Sequence, residues 1–454
     1  MLVTISPLVL ATLLAAATLA LPASSYANDV AVGVETNVTI SSASAVQSEW
    51  TRSDIGKLRR LSIRERMQSP PSPGNRVADS AEAAALGEAI FFDTRFSGDQ
   101  QQSCASCHNP AQDFTDGHAI ATGTRLTLRN APGLIGTAHY KWWYWDGRAD
   151  SLWSQALIPF EAPDEMASSR VAVLKAFSLM PERVAQYETL FGPMPSSEFI
   201  DALPEQAGPL GDLASRSAWY RLDEASRKSI NVFYANIGKS IAAFQRTLNF
   251  EPSRFDRFAQ QVIDSSSTAD VTTVNSAEYS EQEIHGLRLY LDDSKTHCRN
   301  CHNGSLFSNS EFYDVGSAAL AGTRADHGRS LGLVAARRSE FNCLGEYSDV
   351  AAADKYRLCR LAKIHDDSSN VLAIGAFKTP TLRRIKHTAP YFHDGSMETL
   401  EDVIRHYQHL DMSARSIQRQ VTKTIAKAKA EHQLPPMNLS ESEIAALINF
   451  AEEP

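Results

Sequence analysis

The chain has 454 residues, 43% of them hydrophobic and 21% charged, with a formal net charge of −9. That is room for two or three ordinary domains and a sizeable core, which excludes a disordered or collagen-like chain. The acidic balance and the lack of a long Lys/Arg block leave no electrostatic footprint for nucleic acid, and six cysteines over this length are too few for a disulfide scaffold.

From the N-terminus, Leu8 to Leu21 are almost wholly apolar, and Ser25 and Ala27 supply small residues before polar Asn28-Asp29. Residues 1–27 therefore read as a cleaved secretory signal. Against that, no Lys or Arg precedes the run, and counted from Leu2 it is nearly long enough to span a bilayer as an uncleaved anchor. Either way the body of the protein is expected outside the cytoplasmic membrane, with membrane contact only if the segment stays in place. Residues 28–75 read as an extension ending in a linker, because the prolines of Ser69-Pro70-Pro71-Ser72-Pro73-Gly74 cannot continue a helix. Helical patterning begins near Ala81.

Cys104-Ala105-Ser106-Cys107-His108 follows, a C-x-x-C-H motif, and Cys298-Arg299-Asn300-Cys301-His302 is a second. Two thiols at this spacing add to the two vinyl groups of one haem, and the adjacent His ligates the iron. Zinc would need further Cys or His ligands at matching spacing, and a redox dithiol has no use for the His. Two covalently bound haems c are expected, which agrees with export. They imply a mainly α fold of two cytochrome c-like helical domains, a first over 76–265 and a second over 266–454.

The best-marked helix between the motifs carries Ile230, Phe233, Ile237, Ile241, Phe244 and Leu248 on one stripe. Segments 195–220 and 317–370 read as loops or insertions. Ser280 with Glu283, and Ser440 with Glu443, form capping boxes ahead of apolar runs. Cys343 and Cys359 lie outside the motifs. In an oxidising compartment they are expected to pair and pin the insertion within the second domain, closing a loop of roughly 15 residues worth about 3 kcal/mol. A helix opens near Thr399 with Asp402 three residues on. Leu400, Val403, Ile404 and Tyr407 share its buried face, while His406 is rotated away.

Two further stretches carry a resemblance. Trp145-Asp146-Gly147-Arg148-Ala149, and the segment from Lys378-Thr379-Pro380-Thr381-Leu382-Arg383 to Ala389-Pro390-Tyr391-Phe392-His393-Asp394-Gly395, occur in order with the two haem motifs. The chain resembles the bacterial di-haem cytochrome c peroxidases and their MauG-type relatives over roughly residues 80–450.

The resemblance implies an open first haem, on His108, that reacts with hydrogen peroxide, and a six-coordinate second haem, on His302. Trp145 corresponds to the tryptophan between them. By its residue type alone, within a cluster with Trp142, Trp143, Tyr144 and Trp153, it could equally be core packing. Gln155, Pro159 and Glu165 take the family's distal-pocket positions. Glu165 would be the acid/base that moves a peroxide proton and Gln155 an orienting group, although a lone loop glutamate is usually a solvated surface residue.

Many of the family's peroxidases carry a removable distal His where Thr124 stands here. His118 is near but at the wrong spacing, so the first haem is expected to be open without activation. The residue that ligates the second haem is Met in the peroxidase branch and Tyr in the MauG branch, and Tyr407 corresponds to it. Tyrosinate is a hard anionic ligand that lowers reduction potential and favours higher oxidation states. The alternative is a buried tyrosine with a hydrogen-bonded hydroxyl. The family's calcium ion would fall on Asn130, Thr388 and Pro390. The expected activity is peroxide-driven, long-range oxidation of a partner protein, as in MauG. Its rivals are peroxide removal with a small cytochrome or cupredoxin donor, and a non-catalytic electron carrier.

Overall fold

Buried and exposed residues alternate along Val46–Thr51, which forms a strand (β1) with Ser48 and Trp50 inward. Thr51 then caps the next helix, α1 (Arg52–Leu61), through a capping box with Asp54, and Ile55, Leu58 and Leu61 line its buried face. The computed structural model describes residues 45–267, 269–317, 326–364, 373–410 and 437–452. The expected signal over 1–27 lies outside the described residues.

The described chain is mainly helical, with two small two-stranded sheets. β1 runs antiparallel to β2 (Val271–Ser276), with Val46 opposite Ser276 and Thr51 opposite Val271. β3 (Phe312–Tyr313) pairs with β4 (Phe377–Lys378).

Two hydrophobic cores organise the helices. The first is built where α2 (Ala81–Phe91) crosses α3 (Glu224–Gln245), the long helix expected from its apolar stripe. Ile230, Phe233, Ile237, Ile241 and Phe244 are all buried on it, against Leu86, Ile90, Phe160 and Phe177. The second gathers α4 (Arg254–Asp264), α5 (Glu281–Leu291) and the C-terminal helix Glu441–Ala451 around Phe255, Phe258, Leu287, Phe307 and Phe450. The boxes at Ser280/Glu283 and Ser440/Glu443 form, with the Glu283 carboxylate 2.7 Å from the Ser280 backbone nitrogen. In both cores a glycine sits at the helix crossing: a Cβ on Gly87 would lie 1.9 Å from the Ser240 carbonyl oxygen, and one on Gly286 2.0 Å from that of Ala446.

The structure corrects three sequence expectations. From Val46 onward the supposed extension is part of the second core, where Trp50, Ile55, Leu58 and Leu61 are buried with residues of α4, itself expected in the first domain. The signal was the alternation in β1 and the Thr51 box, both too short to stand out. Segment 195–220 holds two short helices, Ser197–Ala202 and Leu213–Arg221, capped by Ser196 and Asp212. The Cys343–Cys359 disulfide forms, but it holds its segment against the first core rather than the second: Phe341 packs on Trp153 and Tyr234, and Tyr347 joins them.

Candidate haem centres

The first motif is a single helical turn, Cys104–Cys107, closed by the His108 amide on the Cys104 carbonyl at 3.0 Å. His108 Nδ1 lies 2.9 Å from the Phe114 carbonyl oxygen. A carbonyl only accepts, so Nδ1 carries the proton and Nε2 keeps the lone pair a metal needs. Burial lowers the pKa of the ring, which keeps it neutral as a ligand must be. The second motif repeats the device. His302 Nδ1 lies 3.0 Å from the Phe307 carbonyl, and burial holds its pKa down at about 4.

Cys104, Cys107 and His108 line a cavity whose other walls include Gln155, Pro159 and Glu165. The three residues assigned to the distal pocket by resemblance are thus brought together opposite the first motif. Burial raises the Glu165 carboxyl pKa, and the Arg148 guanidinium, 3.9 Å away, partly offsets this. Thr124 does not face this chemistry. It is half-buried and fastens the loop that carries Glu165: its amide donates to the Glu165 carbonyl at 2.7 Å and its hydroxyl to the Pro163 carbonyl at 2.8 Å. His118 is exposed and is not among the residues lining the cavity.

Cys298, Cys301, His302 and Tyr407 line a second, larger cavity. Tyr407 is carried by α6 (Leu400–Gln408), started by the Thr399/Asp402 box, and Val403 one turn earlier lines the same wall. His406 turns away and its Nε2 meets the Val315 carbonyl at 2.7 Å. Burial raises the Tyr407 hydroxyl pKa, and no hydrogen bond joins that hydroxyl to another described residue.

Trp145 lines this second cavity too. Its indole Nε1 donates to the Asn130 carbonyl at 3.0 Å, and its own carbonyl accepts from the Lys378 amide at 2.7 Å. Its neighbour Tyr144 reaches the other way: its hydroxyl lies 3.3 Å from the Gln155 carbonyl, and the Arg148 guanidinium stacks 3.6 Å over its ring. The Trp-Asp-Gly-Arg element therefore lines the second cavity through Trp145 and reaches Glu165, a wall of the first, through Arg148, while Trp142 and Trp153 are core. Asn130, Thr388 and Pro390 also line the second cavity. The Asn130 amide nitrogen is committed to the His118 carbonyl at 2.9 Å, which leaves its oxygen, a hard donor, for a cation. Among the described residues no group of three or more His, Cys, Asp or Glu is placed to hold a metal ion, so such a site would rest on amide and carbonyl oxygens and water.

Apart from Glu165, sequence reasoning gave no role to the charges between the cavities. His393, Asp326, Arg129, Asp146, Arg148 and Glu165 form a continuous ladder, with Arg129 2.9 Å from Asp326 and 2.7 Å from Asp146. Asp146, Arg148 and His393 stood within the quoted elements. Arg129 and Asp326 carried no signal.

Both sites fit a c-type haem by the same tests: paired thiols, a His whose tautomer is fixed for ligation, and an adjoining cavity. The fold and the sites define a di-haem c-type protein of the haem peroxidase class. Residues 81–263 match the family model described as di-haem cytochrome c peroxidase. The chain is 29% identical over 391 residues to cytochrome-c peroxidase IdrP1 of Pseudomonas sp. (strain SCT), covering 84% of this chain and 83% of that one. It is 28% identical over 386 residues to methylamine utilization protein MauG of Methylorubrum extorquens, covering 84% and 83%. The crystal structure of the diheme peroxidase BthA from Burkholderia thailandensis superposes with a TM-score of 0.57 at 18% identity, over 86% of this chain and 94% of that one. The chain is similar over most of its length to di-haem cytochrome c peroxidases and MauG proteins, and it is a haem peroxidase-type oxidoreductase. That likeness implies two haems c, and the non-catalytic alternative falls away.

Proposed function

We propose that the protein is exported and uses hydrogen peroxide to oxidise a side chain of a partner protein at long range, in the manner of MauG. The observation that carries this reading is Tyr407. It faces the second cavity with its hydroxyl unengaged by any described residue, where a buried structural tyrosine would have a partner. Export rests on the Leu8–Leu21 run and on the disulfide, which suits an oxidising compartment.

Cys104, Cys107 and His108 would hold one haem, and Cys298, Cys301, His302 and Tyr407 the other. When bound, the haems supply the iron chemistry that reduces peroxide and exchanges single electrons. The residues of the chain do the rest. Hydrogen peroxide enters the cavity beside Glu165, whose carboxylate takes a proton from one peroxide oxygen and returns it to the other. Gln155 orients the peroxide, and the Pro159 ring closes the wall with a group that can neither ligate nor donate. Arg148 holds the Glu165 carboxylate in place. Trp145 offers an oxidisable indole at the wall of the second cavity, which shortens each electron hop. Asn130, Thr388 and Pro390 would hold calcium beside the Trp145 indole. Reduction of one peroxide to two waters takes two protons and two electrons, and the electrons come from the partner.

The test is turnover of reduced cytochrome c with peroxide. Slow turnover, together with a long-lived oxidised state of the protein after one equivalent of peroxide, is expected. Rapid turnover would sink the protein-modifying reading in favour of peroxide removal. Tyr407→Met and Trp145→Phe should each shorten the life of that state, and unchanged lifetimes in both would refute their roles.

A further inference from the structure

Lys378 is the second residue of β4, opposite Phe312 of β3, with its amide fixed on the Trp145 carbonyl at 2.7 Å. The residue is only 6% exposed, and it lines the second cavity. Its ammonium lies 3.8 Å from the centre of the Tyr140 ring and has no carboxylate or hydrogen-bond acceptor among the described residues. A ring face offsets only part of the cost of burying a cation.

The other cationic side chains on that wall are already committed. Arg383 is paired with Asp256 at 2.7 Å, and Arg384 with Asp113 at 2.6 Å. Burial alone lowers the Lys378 pKa to about 7 when nothing compensates it. The cavity is built to receive one further anion, and the group that Cys298 and Cys301 tether there carries two carboxylates of its own.

We infer that Lys378 is the cationic partner of a propionate of the second haem, seating that edge of the macrocycle against Tyr140 and Trp145. This rests on the second cavity holding haem c and is independent of which donor the enzyme uses. It makes Lys378 a positioning residue with a measurable electrostatic effect. An ammonium beside the haem disfavours the more positively charged oxidised form, and its removal leaves a propionate uncompensated, which favours that form.

The test uses the haem-loaded protein. In Lys378→Met, with both haems attached by mass, the oxidised-to-reduced ratio of the second haem at a fixed potential should rise about tenfold, a fall of about 59 mV for one electron. The His108 haem should be unmoved. Lys378→Arg keeps the charge and should restore most of the difference. An unchanged second-haem potential in Lys378→Met, or an equal fall in both variants, overturns the pairing. Should Lys378→Met fail to retain haem, a crystal structure of the wild-type holoprotein decides. Nζ within about 3.2 Å of a propionate oxygen supports the assignment, and Nζ with no propionate in reach overturns it.

Discussion

At the scale of single residues, the sites are made of ordinary side chains placed where their usual chemistry changes. Glu165 is a loop carboxylate by sequence and a wall of the first cavity in three dimensions, with Arg148 3.9 Å away. Replacing it by Gln should lower peroxide consumption by roughly 10²–10⁴-fold, the usual worth of a positioned acid/base, while leaving haem content and spectra unchanged. A loss of haem in that variant would mean a structural role instead. Asp93 shows the same principle in stability. Burial alone would raise its pKa, but Arg95 and Arg183 together hold it near 2. A carboxylate held below its unfolded value near 3.9 stabilises the fold above that pH and loses its contribution as pH falls towards 2. Asp93→Asn should therefore cost about 2 kcal/mol at pH 7 and progressively less below pH 4, read as urea midpoints at each pH.

At the scale of elements, recurrence is the theme. Both motifs fix the imidazole by a carbonyl five or six residues on, from Phe114 and from Phe307, each with positive φ (58° and 50°). Trp145-Asp146-Gly147 and His393-Asp394-Gly395 share one turn: residues 144 and 392 both have positive φ, and the flanking pairs 143/149 and 391/397 both form β-bridges. One such turn presents Trp145 to the second cavity, and the other places His393 in the ladder towards the first. The helix crossings recur as well, each made by a glycine whose missing side chain lets two backbones meet. Gly286→Ala should push α5 off the C-terminal helix and destabilise the second core by about 1–3 kcal/mol. It should leave the first haem's spectrum intact and broaden only the second. An effect confined to the first haem would contradict the separation of the cores.

At the scale of the whole molecule, a few charged side chains tie distant stretches together. Arg383, inside the second quoted element, makes a fully buried pair with Asp256 of α4 and also bonds the Leu61 carbonyl that ends α1 and the Ser305 carbonyl beyond the second motif. Asp256 in turn accepts from the Ile63 amide. Removing one partner leaves the other charge buried, so Asp256→Asn should cost about 3–5 kcal/mol in denaturant melts. Replacing both by apolar residues should recover much of that. A single variant as stable as the wild type would show that the pair organises little.

The sequence alone determined the covalent chemistry, because thioether attachment needs two thiols and a His within five consecutive residues. It also determined the long helices, whose apolar stripes and capping boxes are local. By resemblance it named Glu165, Gln155, Pro159, Trp145 and Tyr407, and each lines one of the two cavities. What it could not show is which of two cores a short segment joins. β1, α1 and the disulfide loop find their places through partners 200 residues or so away, and no local pattern encodes a distant pairing. Only the tertiary structure revealed that the Lys378 ammonium, in the wall of the second cavity, has no carboxylate partner among the described residues, and that six charged or ionisable residues form a ladder between the haem centres. Electrostatic partnership depends on distance in space, and the chain order does not carry it.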